Sequence, residues 1–102
     1  MNCYVFAYGT LLDEEIRNSI LGYETPAGKT QLRGFRKSSI TLSGITYPAI
    51  IKDSGGTQTI DGAYFSIREK DLVLIDQYES SNYSRIRVKL ENGIDAWVYY
   101  CK

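Results

Sequence analysis

The sequence predicts an α+β fold, a mixed β-sheet or small β-barrel with two peripheral helices, formed by residues 1–102 as one domain. Three observations predict it. Two short stretches place apolar residues at helical spacing, while the rest of the chain alternates or runs in β-branched and aromatic residues. Turn signals at Gly22, Gly55-Gly56 and Asn92-Gly93 divide these stretches. With 43% apolar and 24% charged residues, a chain of 102 residues can bury a usable core without staples.

Residues Cys3 to Tyr8 read as a strand that breaks at Gly9. Asp13 then offers a side-chain oxygen to cap a helix whose first turn holds Glu14 and Glu15. Leu12, Ile16 and Ile20 recur at helical spacing, and Gly22 supplies a stop. Strands follow over about Thr30–Phe35, Ser38–Leu42, Tyr47–Ile51 and Gln58–Ile67. Ser66 and Glu69 have capping-box spacing, which predicts a second helix running to about Tyr78. Ile86, Val88 and Leu90 alternate with Arg85, Arg87 and Lys89, the period of a half-buried strand. Asn92-Gly93 signals a tight hairpin into a last strand with Trp97 and Tyr99 on one side. The order is β-α-β-β-β-β-α-β-β.

Composition excludes several functions. Lysine and arginine balance aspartate and glutamate at 12 each, and Lys29, Arg33, Arg36 and Lys37 are interrupted by apolar positions. A nucleic-acid binder would show a one-sided positive excess, so no nucleic-acid partner is expected. No apolar run is long enough to cross a bilayer, and no basic region followed by an apolar one opens the chain. The expectation is a cytoplasmic protein without a membrane partner. Cys3 and Cys101 lack CxxC spacing and read as small buried hydrophobes, with a disulfide between the terminal strands left open. Histidine is absent, so proton transfer near neutral pH falls to a carboxylate, Lys, Tyr or Cys, and no zinc site is expected.

Three segments carry candidate chemistry. Tyr8-Gly9-Thr10-Leu11 joins a strand to a helix, where free amides attract negative charge and a glycine permits close approach. The same segment also reads as an ordinary structural turn. Asp76-Gln77-Tyr78-Glu79, followed by Tyr83 and Arg85, puts Glu79 at a helix end whose partial negative charge disfavours a carboxylate. By itself Glu79 equally fits an exposed surface position. Tyr47-Pro48-Ala49 and the aromatic residues Tyr83, Trp97, Tyr99 and Tyr100 form the third group, for which strand packing is the plainer reading.

Taken in order, these pieces resemble the γ-glutamylcyclotransferase family, including its γ-glutamylamine cyclotransferase and AIG2-like branch. The resemblance spans nearly the whole chain. It rests on Tyr8-Gly9-Thr10-Leu11, Tyr47-Pro48-Ala49, Gly62, Leu74 to Glu79 with Tyr83 and Arg85, and Ala96-Trp97-Val98-Tyr99. It implies a γ-glutamylcyclotransferase-like small barrel that converts a γ-glutamyl amine or amino acid to 5-oxoproline and free amine. No cofactor or metal is implied. By the same resemblance, the Gly9, Thr10 and Leu11 amides hold a carboxylate or oxyanion, and Glu79 is the general acid/base. Tyr8 belongs to the binding loop, and Tyr47, Tyr83 and Tyr99 surround the substrate. The short chain points to the amine-releasing branch.

One departure is visible, because members often carry glycine directly after the glutamate and here Ser80-Ser81-Asn82 follows. The chemistry also sets a condition. A solvated glutamate near pKa 4 is a poor base for an amine near 8, a gap of roughly 4 units, so Glu79 must be desolvated. A non-catalytic barrel that binds a small metabolite or a protein is the alternative. A monomer or weak homodimer is compatible with the balanced charge.

Overall fold

Alternation becomes strand, and capped helical spacing becomes helix, along the whole of residues 1–102 described by the computed structural model. Strand β1 spans Asn2–Ala7 and leads through a 3-10 turn, Thr10–Leu12, into helix α1, Glu14–Leu21. Four strands follow: β2 (Ala27–Arg33), β3 (Phe35–Leu42), β4 (Ile45–Lys52) and β5 (Thr59–Arg68). A second 3-10 turn, Glu69–Asp71, enters helix α2, Leu72–Glu79, and β6 (Ser84–Lys89) and β7 (Asp95–Tyr100) close the chain. The expected order holds throughout.

Five strands form one sheet in the order β2-β5-β1-β7-β6. Only the β1–β7 pair is parallel, with Val5 opposite Trp97 and Phe6 opposite Val98. Alternation gives this sheet two buried faces. Val5, Ala7, Phe65, Ile67 and Tyr99 pack under the helices against Leu11, Leu21, Leu72 and Ile75. Phe6, Leu32, Ile60, Val98 and Tyr100 pack on the other side against Phe35 and Ile50 of the β3–β4 hairpin.

The predicted barrel does not close. Strands β3 and β4 form their own two-stranded sheet, which joins the larger one through a single bridge between Ile51 and Cys101. The hairpin leans on an apolar face instead of hydrogen-bonding both edge strands, so the α+β fold stands with an open sheet. Pro48 sits inside β4, where a missing amide is tolerated because one edge of that strand has no partner.

Capping explains α1 as expected. Asp13 accepts from the Glu15 amide at 2.9 Å, and Gly22 ends the helix in the left-handed region at φ 82°. The capping box at Ser66 does not form. Ser66 stays in β5 opposite Tyr4, and the chain enters α2 through the 3-10 turn with no side-chain cap. The Asn92-Gly93 hairpin is also longer than a two-residue turn. The Leu90 amide bonds the Ile94 carbonyl, and Gly93 takes φ 85° between them.

The terminal cysteines are free thiols. The parallel register sets Cys3 level with Asp95 and Cys101 level with Gly9. Six residues of strand separate them, roughly 20 Å, far beyond disulfide reach.

Gly62 is where two strands come closest. A Cβ there would overlap the Ala7 carbonyl oxygen and come within 2.6 Å of the Phe6 ring. Gly62→Ala is therefore expected to lower stability by about 2 kcal/mol, read from the urea midpoint. An unchanged midpoint would contradict the close approach.

Candidate functional site

Strand β1 ends at Ala7, and the sharp exit through Tyr8 and Gly9 turns the backbone over the end of the sheet. Thr10 and Leu11 open the 3-10 turn and have no intrahelical acceptor for their amides. No turn, loop or side-chain acceptor takes the amides of Gly9, Thr10 or Leu11. Three donors thus remain free in one loop. A Cβ on Gly9 would meet only Pro48, at an ordinary 3.5 Å.

Arg17 holds this loop from behind. Buried on α1, it donates to the Leu11 and Leu12 carbonyls at 2.9 and 3.0 Å. Its other donors go to Thr25, at 2.9 Å to the hydroxyl and 2.8 Å to the carbonyl. The guanidinium also lies 4.9 Å from the Phe65 ring centroid. No carboxylate pairs with it. Its charge is met by carbonyl dipoles, and that charge adds to the pull of the free amides on an anion. The only sequence signal for this residue was an arginine one helical turn before Leu21 on the apolar face of α1.

A cavity of about 350 Å³ opens beside the loop. All eight site residues singled out from the sequence line it: Tyr8, Gly9, Thr10, Leu11, Tyr47, Glu79, Tyr83 and Tyr99. Leu42, Ser43, Ile45, Pro48, Tyr78 and Ser80 also line it and were not assigned to the site from the sequence. Trp97, by contrast, lies away from the cavity under the guanidinium of Arg85, 4.5 Å from its ring centroid.

Glu79 is the last residue of α2 and is half-buried. Its carboxylate takes part in no hydrogen bond or ion pair within the protein, although five tyrosines line the same cavity. Three of these phenol protons are committed elsewhere, and the Tyr78 hydroxyl shares a 2.7 Å hydrogen bond with that of Thr10. Tyr8 donates to the Tyr99 carbonyl, Tyr83 to the Pro48 carbonyl at 2.9 Å, and Tyr99 to Asp76 at 2.6 Å. Asp76 also pairs with Arg85 at 3.2 Å, which fixes the β6 side of the site.

Nothing therefore offsets the loss of water around Glu79, and burial pushes its pKa up to about 7. Burial, followed by the Glu79 charge, raises the Tyr83 phenol to about 12. Tyr8 is raised further for the same two reasons. Tyr8, Tyr83 and Tyr99, the last raised chiefly by burial, stay protonated and keep their donor directions. No group of three or more His, Cys, Asp or Glu side chains gathers to hold a metal ion.

Three free backbone amides and an uncompensated carboxyl group thus share one cavity, an arrangement chemically able to hold a small anion and to exchange a proton. Residues 5–102 match the family described as Gamma-glutamyl cyclotransferase, AIG2-like, and the chain belongs to that family. The fold is shared with solved structures. Two Arabidopsis thaliana proteins align at TM-scores of 0.81 and 0.77, with 21% and 25% identity over 99% and 98% of this chain. A structure named Gamma-glutamyl cyclotransferase aligns over 100% of the chain at 19% identity and a TM-score of 0.76. The chain spans 62% of the first Arabidopsis protein and 68% of each of the other two. No curated protein matches its sequence at a significant level.

The departure after the glutamate has a structural counterpart. Ser80 takes φ 68° and ψ 179°, a region that glycine occupies without strain. Its hydroxyl is braced by the Asn82 side-chain amide at 2.9 Å. Ser80→Gly is expected to raise stability by about 1 kcal/mol in chemical denaturation, and a loss would show that the brace outweighs the strain.

A second expectation concerns pH. Because the folded carboxyl titrates near 7 instead of 4.5, the native state holds the extra proton between those values. Wild-type stability should fall across this window as pH rises, whereas Glu79→Gln has no such term. The stability difference in favour of Glu79→Gln should grow from pH 4.5 to about 7 and then level off. A difference independent of pH would place Glu79 in water.

Proposed function

We propose that the chain is a cyclotransferase of the γ-glutamylamine type, converting a γ-glutamyl amine to 5-oxoproline and free amine. The observation that carries this reading is a desolvated, unpartnered Glu79 in the same cavity as three free backbone amides. The substrate's α-amine attacks its own γ-carbonyl carbon, forming the ring C–N bond. Because both reacting atoms belong to one molecule, a folded pose in a confined cavity supplies much of the acceleration.

Each protein group has a place in this sequence. The Gly9, Thr10 and Leu11 amides hold the α-carboxylate or the developing oxyanion. Glu79 takes the proton released by the attacking nitrogen and returns it to the departing nitrogen as the old C–N bond breaks. With its pKa at about 7, Glu79 lies about one unit below an α-amine near 8. That gap costs about 1.4 kcal/mol, where a solvated glutamate would face about 5. Tyr8, Tyr83 and Tyr99 keep water and hydrogen-bond donors away from the carboxylate. Tyr47 lines the same cavity.

The test is 5-oxoproline release from γ-glutamyl amines and γ-glutamyl amino acids by wild type and Glu79→Gln. Wild type should turn over, and Glu79→Gln should lose at least about a hundredfold in kcat. The wild-type kcat should rise with pH to a plateau, with a midpoint near 7 as Glu79 ionises. Equal rates from both proteins would remove Glu79 as the base. Ligand binding without turnover in either would favour a non-catalytic binding module.

A further inference from the structure

The cavity is electrically lopsided. Glu79 is its one charged lining residue, and neither lysine nor arginine reaches its wall. If the amide loop takes the α-carboxylate of a γ-glutamyl ligand, the rest of the ligand must lie against the remaining wall. That wall is mostly apolar, with Leu42, Ile45, Tyr47, Pro48 and Tyr78 beside the uncharged Ser43 and Ser80.

Three of these residues leave the hairpin on one side. Leu42 and Ile45 are register partners, and Tyr47 is two residues beyond Ile45 on the same face of β4. The tip that carries them is held in place. Ser43 and Gly44 both take positive φ, 51° and 79°, which gives the hairpin a turn matched to its twist. Thr41 and Thr46 share a hydroxyl hydrogen bond of 3.1 Å just behind it. Ile45 nevertheless remains 56% exposed at the cavity mouth, a large aliphatic side chain with no protein partner to cover it.

A departing group that carried its own carboxylate would find no cation there. Arg85, in the adjoining cleft with Asp76, Ser80, Tyr83 and Tyr99, is already paired with Asp76 and stacked on Trp97. The carboxylate would also share the cavity with ionised Glu79. An alkyl chain has neither problem and would cover Ile45.

We propose that the site selects γ-glutamyl amines whose departing amine is an uncharged alkyl chain, and that Leu42, Ile45 and Tyr47 on the hairpin tip do the selecting. The ligand class rests on the cyclotransferase reading, but the selectivity can be measured apart from turnover. N-alkylglutaramates keep the carboxylate and the γ-amide and lack the α-amine, so they cannot cyclise. Their binding to the wild-type protein is measured by calorimetry for N-ethyl, N-butyl and N-(3-carboxypropyl) compounds. N-butyl should bind about tenfold tighter than N-ethyl, as two further methylenes leave water. N-(3-carboxypropyl) should bind at least about tenfold more weakly than N-butyl, since it meets an apolar wall and a like charge. Ile45→Lys, at an exposed position that leaves the core intact, should abolish the chain-length gain and tighten the carboxypropyl compound.

Flat chain-length dependence, equal binding of the carboxypropyl compound, an unaltered Ile45→Lys profile or no binding at all would each overturn the selectivity. Turnover of the matching γ-glutamyl amines is followed in parallel. The predicted binding order without any 5-oxoproline would sink the cyclotransferase reading and leave the selectivity standing. Turnover that ignores the departing group would do the reverse.

Discussion

The character of the site follows from where three phenol protons go. A carboxyl group surrounded by tyrosines ordinarily collects hydrogen bonds and becomes a weaker base. Here Tyr8, Tyr83 and Tyr99 donate to the Tyr99 carbonyl, the Pro48 carbonyl and Asp76, and neither they nor the other two tyrosines of the cavity, Tyr47 and Tyr78, hydrogen-bond Glu79. Their rings still exclude water. The result is desolvation without compensation, which is the combination that raises a carboxyl pKa towards neutrality. Those three bonds also tie β1, β4, β6, β7 and α2 together around the cavity, so basicity and architecture share the same contacts.

A second constraint lies behind the binding loop. Backbone amides are useful to an anion only if their carbonyl ends are already satisfied and their positions fixed. In the 3-10 turn the Leu12 and Asp13 amides bond the Gly9 and Thr10 carbonyls, and Arg17 fixes the turn by bonding the Leu11 and Leu12 carbonyls and anchoring them to Thr25. A buried cation matched only by dipoles would be a liability in a generic core. In this position it keeps the loop in its donor-outward shape before any ligand arrives, so little ordering remains to oppose binding.

Much of this was legible in the residues. Asp13 and Gly22 bracket α1 because a side-chain oxygen and a left-handed terminus are local requirements that local chemistry meets. The alternation of Ile86, Val88 and Leu90 reads directly as a strand, since one face of β6 is half-buried and the other bears Arg85 and Arg87. The site residues were found through the order of short motifs, none of which was decisive alone. Features set by long-range packing were not legible. The Ser66–Glu69 spacing mimics a cap, but pairing of Ser66 opposite Tyr4 prolongs β5 through it. Whether seven strands close into a barrel depends on how the hairpin leans, which no local pattern encodes. Arg17 and Ile45 carried no local motif, and Leu42 read only as the end of a strand.

The hairpin itself has a further consequence. Its ladder is self-contained, and one bridge at Ile51 is its only strand pairing with the larger sheet. Residues added or removed at Ser43-Gly44 would shift no register in the five-stranded sheet and would leave Glu79 and the amide loop where they are. On the proposed reading, the chemistry and the choice of ligand are carried on parts of the chain that can change independently. A lineage of such proteins could exchange hairpin tips as interchangeable adaptors, acquiring new ligands without rebuilding the five-stranded sheet.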